Sequence, residues 1–312
     1  MPDSIFLTND EVARLTRPQR EARVRTLVDY SHQQLDVMLE RIRVEGKRVV
    51  GIVVLYSGGN DSTTLAHLFR KRATHTAHAN TGIGIEATRE FVRATSAAWG
   101  LPLIEKRPPA GSTYRELVLD QGFPGPAHHW KMYQRLKERC LRQVRAELVK
   151  HPRRERVIFI AGRRRDESAR RSDVPENERQ GSIEWLSPLA PWTALDLATY
   201  RLVHVGTDDE VPVNETSAKI HMSGECLCGA FAKPDEFAEI AWWFPDIAAE
   251  IEALEAEVLA AAPVAEWRCR WGWGADKGAI EKLVKQGEDP KKIARLFTRS
   301  KSGRMCSSCA SR

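Results

Sequence analysis

Residues 48–62 read "RVVGIVVLYSGGNDS". The apolar run over 48–55, rich in valine, predicts a buried β-strand. It stops abruptly at two glycines, an asparagine, an aspartate and a serine, and "DSTTLAHLFRKR" then resumes with helical character. In open α/β sheets, ligands bind beyond the carboxyl ends of strands, where the next helix points its N-terminus. A Gly-Gly turn there lets backbone N–H groups approach an anion with no Cβ in the way. Ser57 and Ser62 can donate hydroxyl hydrogen bonds to phosphate oxygens, Asp61 can cap the following helix, and the helix's positive end then faces the anion. The Walker pattern GxxxxGK[ST] is absent, so this is a different phosphate loop.

Outward from this stretch, strands and helices alternate. "THTAHAN" reads as a second strand and "GIEATREFVRATSAAWG" as a helix ending at a glycine. "LPLIEKR" is a third strand, "KMYQRLKERCLRQVRAELVK" a long helix and "RVIFIAG" a fourth strand. That alternation predicts a mostly parallel sheet covered on both faces. Residues 1–46 read as a helical lead-in closing on Gly46, and 47–220 as the α/β nucleotide-binding domain. Residues 221–312 read as a helical region with five of the six cysteines. Within that region Ile247, Ile251, Leu254 and Val258 form one apolar stripe, and "DKGAIEKLVKQG" and "DPKKIARLF" predict two further helices.

The chain has 312 residues, 48 basic against 42 acidic, for a formal charge of +6. Residues 131–172 concentrate fifteen Lys/Arg against five Asp/Glu. A basic stretch of this kind suits a polyanion such as nucleic acid, or the phosphates of a nucleotide beside a solvated helix face. No apolar run reaches the roughly 18 to 20 residues of a membrane span, and the first twenty residues lack a signal peptide's apolar segment. The expectation is a cytoplasmic protein without a membrane partner, whose cysteines serve as ligands or thiols rather than disulfides.

The strand–SGGNDS–helix unit resembles the PP-loop, SGGxDS, of ATP pyrophosphatases and of the phosphoadenosine phosphosulfate (PAPS) reductase family. Asn60 stands where many relatives carry lysine. Three later stretches are similar to that family in the same order. "HANTGIGIEATREFV" supplies Asn80, Thr81, Gly82, Glu86 and Thr88. "AGRRRDESARR" supplies Gly162, Arg164, Glu167, Ser168 and Arg171. "SPLAPWTALDL" supplies Pro188, Leu189, Trp192, Thr193 and Asp196. The resemblance spans about residues 48–230. It implies the adenine-nucleotide α-hydrolase-like, Rossmann-like fold, with a helical cysteine-rich C-terminal region appended. It also implies a nucleotide site built from Ser57, Gly58, Gly59, Asn60, Asp61, Ser62, Asn80, Thr81, Gly82, Gly162, Arg164, Ser168 and Arg171. The catalytic groups would be Asp61, Arg164 and Glu167, with ATP (or PAPS) and Mg²⁺ as cofactors. Guanidinium forks take phosphate oxygens bidentately; Arg163 and Arg165 read instead as surface arginines, Glu167 as orienting an arginine, and Trp192 as core. His128 and His129 lie in a Pro/Gly stretch that is either a substrate loop or an ordinary turn.

"SGECLCGAF" and "RMCSSCASR" place Cys226 and Cys228 some 77 residues before Cys306 and Cys309. Two close thiol pairs can give four ligands to one site, either a [4Fe–4S] cluster or a structural zinc. Iron-dependent family members use a close pair and a distant CxxC around such a cluster, although their first pair is adjacent and this one is CxC. Cys269 could replace a ligand, act as a sulfur-handling thiol, or pack among tryptophans, and Cys140 reads as core. Sulfate-reducing members carry an "ECGLH"-like catalytic tail that "CSSCASR" lacks.

That absence directs the expectation toward a PP-loop sulfurtransferase, similar to DNA phosphorothioation enzymes and more distantly to cluster-dependent tRNA thiolases. ATP would adenylylate an acceptor oxygen with release of pyrophosphate, and sulfide would then displace AMP. The acceptor would be a nucleic acid, DNA or tRNA, and a partner such as a cysteine desulfurase would donate the sulfur. Two alternatives stand beside it: a sulfonucleotide reductase releasing sulfite, and a nucleotide- or nucleic-acid-binding protein with structural zinc and no turnover.

Overall fold

The computed structural model describes residues 5–168, 171–233, 235–276 and 285–287. In chain order it contains α1 (Asn9–Ala13), α2 (Arg17–Val44), β1 (Arg48–Leu55), α3 (Asn60–Phe69), β2 (His75–Ala79), α4 (Glu86–Ala98), β3 (Leu103–Lys106) and α5 (Tyr114–Gln121). These are followed by α6 (His129–Met132), α7 (Arg139–Leu148), β4 (Glu155–Ile160), β5 (Asn177–Gln180), β6 (Ile183–Leu186), α8 (Ala194–His204), α9 (Glu215–Ile220), α10 (Glu236–Trp243) and α11 (Pro245–Ala261). The expected long helix over 131–150 is interrupted: a π-helical segment, Tyr133–Glu138, joins α6 to α7. No helix among the described residues is long and apolar enough to cross a membrane.

The six strands form one sheet in the order β3-β2-β1-β4-β6-β5. β1 pairs in parallel with β2 on one side and β4 on the other, β4 pairs in parallel with β6, and β5 returns antiparallel at the edge. The hydrophobicity of β1 and β4 has a direct cause. Strands in the middle of a parallel sheet are covered on both faces, so both side-chain sets must be apolar. All six residues of β4 are buried, yet they serve two cores. Ile158 and Ile160 join Leu27, Leu35, Leu65, Phe69 and Tyr200, whereas Val157 and Phe159 join Leu141, Val144 and Ile183. The two-residue alternation of a strand thus divides α2, α3 and α8 from α7, placing helices on opposite faces. The β5–β6 hairpin, which the strand pattern did not anticipate, turns at Gly181 with φ +62°. Its outer strand "NERQ" is exposed throughout, which shields the sheet edge with polar side chains.

The lead-in helix α2 is part of this layer. Arg23, buried on α2, pairs with the fully buried Asp196 at 2.9 Å. Asp196 also accepts from Thr193 N–H at 2.8 Å in the capping box of α8. The "PWTALD" motif is therefore a helix cap and an anchor for α2, and Trp192 is core, donating from Nε1 to Ser31 Oγ at 3.2 Å.

The chain divides into two compact units that interleave along the sequence. The first comprises Met1–His78, Glu90–Lys106 and Leu141–Asn214; the second comprises Ala79–Arg89, Arg107–Cys140 and Glu215–Arg312. The second has its own core, in which Tyr114 and Val118 of α5 and Met132 and Leu136 meet Ile251, Leu254 and Val258 of α11 and the indoles of Trp271 and Trp273. The apolar stripe of α11 is as its spacing predicts, with Ile247 at the margin. The helices expected over 276–287 and 289–297 lie almost wholly outside the described residues, as do Cys306 and Cys309.

Candidate functional site

In the first unit the chain leaves β1 toward β2 on one side, while β4 stands on the other. This reversal makes the carboxyl ends of the two central strands a topological switch point, the position where doubly wound sheets bind ligands. Both predicted phosphate-loop segments emerge there. Ser57–Ser62 follow β1, and Gly162–Arg165 follow β4.

The first loop is shaped by backbone and hydroxyl contacts. Gly58 has φ +77°, a left-handed conformation natural to glycine. Gly59 is the N-cap of α3 and offers no side chain, so the helix begins at Asn60 rather than being capped by Asp61. Ser62 Oγ donates to Gly59 O at 3.0 Å and lies 3.0 Å from Ser57 Oγ, which brings two hydroxyls to the mouth of the helix. Freed from capping, the Asp61 carboxylate accepts from Arg164 Nε at 2.6 Å. Arg164 also reaches Asp166 Oδ2 at 3.5 Å, and its side chain is 10% exposed. Gly162 brings its backbone against that of Asp61 and Ser62; a Cβ there would lie 3.6 Å from them. The side-chain amide of Asn214 donates to Gly58 O at 2.9 Å. Sequence reasoning missed this residue, because nothing local in "VPVNET" announces a contact more than 150 positions away.

The other arginines of the cluster separate into different roles. Arg163 donates to Ser187 Oγ at 2.9 Å and lies over the Trp185 ring at 5.4 Å. Arg165 donates to Val174 O at 3.0 Å and pairs with Glu176 at 3.3 Å. Both are held inside the unit, not displayed as plain surface arginines. Glu167 forms an ion pair with Arg171 four residues on, as an arginine-orienting carboxylate would. Loss of solvation raises the Glu167 carboxyl above its ordinary range, Arg171 opposes this, and the Asp61 charge adds to it. Ser168, extended and half-buried, ends this short turn.

Asn80, Thr81 and Gly82 belong to the second unit and meet the cysteine segment there. Asn80 Oδ1 accepts from Gly82 N–H at 3.1 Å. Thr81 donates its N–H to Glu225 Oε1 at 2.8 Å and its hydroxyl to Glu225 O at 2.7 Å. Thr88 Oγ1 donates to Ser223 O at 2.8 Å, and Leu227 N–H donates to Ile83 O at 2.8 Å. Gly84 approaches so closely that a Cβ would stand 2.3 Å from Glu225 O. Glu225 itself is 1% exposed and pairs with Arg89 at 3.4 Å. Glu86, in turn, pairs with Arg89 at 3.0 Å. Glu225, beside the cysteine, carried no recognisable signal in the sequence.

Cys226 is half-buried and Cys228 buried. Their backbone is fixed by Tyr114 Oη, which donates to Cys228 O at 3.0 Å, and by Trp271 Nε1, which donates to Leu227 O at 2.6 Å. The Cys226 thiol is lowered to about 6 by a hydrogen bond from Cys228 and by the charge of Lys137, against the opposing effect of burial. Cys228 is correspondingly raised. Burial works against the Lys137 ammonium, but the two thiols and Glu225 outweigh it and its pKa is raised. A thiolate beside a second thiol and a lysine is a suitable donor pair for a thiophilic metal centre. The described residues contain no group of three or more His, Cys, Asp or Glu that could hold a metal; the other two predicted ligands lie outside them.

The remaining cysteines are core residues. Cys140 is fully buried, donates to Leu136 O at 3.2 Å and has its thiol pushed up to about 11 by burial. Cys269 is 1% exposed among Trp271 and Trp273, and burial raises its thiol as well.

A family profile described as the phosphoadenosine phosphosulfate reductase domain matches residues 51–214, more than half of the chain. No curated protein matches the chain. Among solved structures, a PAPS reductase from Candida auris in its phosphate complex is similar at 17% identity, covering 65% of this chain and 92% of that one, with a TM-score of 0.43. A U34-tRNA thiolase, NcsA, from Methanococcus maripaludis, solved with its [4Fe–4S] cluster, is similar at 12% identity, covering 92% of this chain and 90% of that one, with a TM-score of 0.37.

Proposed function

The chain belongs to the phosphoadenosine phosphosulfate reductase family, and from that premise we propose that it is a PP-loop enzyme that uses ATP to activate an acceptor for sulfur transfer, the acceptor being a nucleic acid. The observation that carries this reading is the closure of the strand-end loop by Arg164 on Asp61 at the β1/β4 reversal. An incoming triphosphate would meet the first amides of α3, the hydroxyls of Ser57 and Ser62, and a guanidinium already aimed at the loop. Such preset donors stabilise charge that develops as the α-phosphate is attacked and pyrophosphate departs. Asp61 would share its carboxylate between Arg164 and the Mg²⁺ that accompanies ATP. Gly162, Ser168 and Arg171 complete the nucleotide-binding set proposed for this unit, and Glu167 keeps Arg171 in place.

Cys226 and Cys228, together with Cys306 and Cys309, are the residues that would hold a [4Fe–4S] cluster. The low thiol of Cys226 beside Lys137 fits such a donor set. Bound there, a cluster supplies an iron site for the sulfur to be transferred. Sulfonucleotide reduction is the second reading, favoured by the family match itself. It needs a thiol nucleophile outside the ligand set, and both described candidates, Cys140 and Cys269, are buried with raised pKa values.

The test is ATP cleavage to AMP and pyrophosphate in the presence of DNA, tRNA or no acceptor, on protein purified without oxygen and assayed for iron and sulfide. Acceptor-dependent pyrophosphate release, lost in Arg164→Ala, is the expected result. Sulfite formation from PAPS, lost in Cys269→Ser, would replace this reading with the reductase.

A further inference from the structure

One region of the second unit contributes only Lys137 to the proposed chemistry. Residues 126–138 form a short 3₁₀ turn, α6 and the π segment. Arg139 N–H donates to Gln134 O, the i→i+5 bond of a π-helix, a feature frequent at functional positions. Met132 and Leu136 enter the core. The opposite side displays large aromatic surface: Trp130 is 56% exposed and Tyr133 42%. Lys131 and Arg135 alternate with these rings and are exposed too. Phe231, 41% exposed, stands beside this side with its ring 4.7 Å from that of His129.

Next to the aromatic face lies a cavity of about 340 Å³. Its apolar lining comes from Phe123, Pro124, Met132 and Val264, its cationic lining from Lys131 and Arg268, and His128 and Asp120 also line it. Arg268 is held by Gln121 O at 3.1 Å and by the Trp273 ring at 5.9 Å, but its buried Nε has no hydrogen-bond partner among the described residues. Lys131, Arg135 and Arg268 form no salt bridge among the described residues, in contrast to Arg163, Arg165 and Arg171. The cavity volume sits at the lower end of the range for small-ligand sites, roughly 300 to 1,000 Å³. An apolar slot with a cationic lip, continuous with exposed rings interleaved with cations, matches the two faces of a nucleotide strand: flat bases and regularly spaced phosphates.

We propose that this face binds a single-stranded stretch of nucleic acid. One nucleotide seats in the cavity, with its base against Phe123 and Pro124 and its phosphate toward Lys131 and Arg268. Adjacent bases stack on Trp130 and Tyr133. The inference rests on the proposed transfer to a nucleic acid and names the surface that takes that acceptor.

The experiment is fluorescence anisotropy of the full chain with labelled single-stranded DNA and RNA of one sequence, the matching duplex, inorganic polyphosphate and an acidic peptide. Single strands should bind more tightly than the duplex, and the better of DNA and RNA identifies the source. Trp130→Ala should weaken single-strand binding about tenfold and leave polyphosphate unchanged. Lys131→Glu should weaken both and reduce the salt dependence by about one counterion. ATP affinity should be unaltered in both variants, which reports an intact fold. Equal binding of single strands and polyphosphate with no effect of Trp130→Ala, or preference for the acidic peptide, overturns the proposal. Nucleic-acid-stimulated pyrophosphate release that survives Trp130→Ala unchanged sinks the surface and leaves the transfer reading standing. Strand binding through Trp130 without any stimulated release does the reverse.

Discussion

Two glycine-containing loops dominate this molecule, and they differ in how far along the chain their supports lie. "SGGNDS" in the first unit is shaped largely by its own neighbours: a strand feeds it, a helix follows it, and its internal bonds run between residues five positions apart or fewer, with Asn214 and Arg164 as its distant side-chain contacts. "SGECLCG" in the second unit is shaped by distant chain, with Thr81, Thr88, Arg89, Tyr114 and Trp271 all bonded to it from elsewhere in the sequence. A loop of the first kind tolerates change outside its few backbone-critical positions. A loop of the second kind depends on the fit of every strut.

The largest effect that would expose this difference is Gly84→Ala. The new Cβ would stand 2.3 Å from a backbone oxygen, which no side-chain rotation relieves. The expected loss is about 3 kcal/mol or more, read as a shift in the urea midpoint, with labilised amides in the second unit. An unchanged midpoint would mean that the 79–89 segment does not brace the cysteine loop. Next is Glu225→Gln, which keeps the shape but leaves Arg89 facing an uncharged amide in a buried place. Arg89 keeps its pair with Glu86, so the cost should be about 2 kcal/mol, less than stranding a buried charge would be. Thiol accessibility at Cys226 should rise with it, as measured by alkylation.

Legibility in the sequence follows the same division. The first loop, its strand and its helix were readable because strand, turn and helix-start signals are local. The sheet class followed from alternation of elements. Asp61 was misplaced as a cap because a glycine N-cap leaves no trace in the pattern, so its pairing with Arg164 required the fold. The β5–β6 hairpin escaped notice because "NERQ" is polar throughout, as an exposed edge strand is free to be. Thr193 and Asp196 were legible as a motif but not as a helix cap joined to Arg23. Glu225, Asn214 and Lys137 were invisible because their partners lie far away in sequence, and burial of a single carboxylate has no sequence signature.

In the first unit, Arg164→Ala should weaken ATP binding by about 2 kcal/mol, the scale of a hydrogen bond to a charged group, measured by calorimetry. Arg164→Lys should recover only part of this, because an ammonium cannot hold Asp61 and a phosphate with one planar fork. Full recovery by lysine would reduce the site to a simple positive charge. In the second unit, alkylation of Cys226 in metal-free protein should level off about one pH unit above 6 and fall to half near pH 6, since the thiolate is the reacting form. The lowered thiol means the anion persists to lower pH than in an ordinary cysteine. Lys137→Met removes one of the charges that sustain it and should move the fall to higher pH, while Cys140 and Cys269 stay unlabelled at either pH.

Gly162→Ala should be the mildest change to the fold and gives the sharpest contrast with Gly84→Ala. Both are glycine-to-alanine changes beside a candidate site, and neither glycine has a left-handed φ. At Gly162 the added methyl would meet Asp61 and Ser62 at 3.6 Å, an ordinary van der Waals distance. Stability should therefore change by less than about 1 kcal/mol, and the lower conformational freedom of the unfolded chain pushes toward a small gain. ATP affinity should still fall, because the methyl would stand against the loop that is to close on the phosphates. A folded, stable variant with weakened ATP binding would assign this glycine to the ligand rather than to the scaffold. Unaltered ATP binding would move the triphosphate away from the β4 end and toward the α3 amides alone.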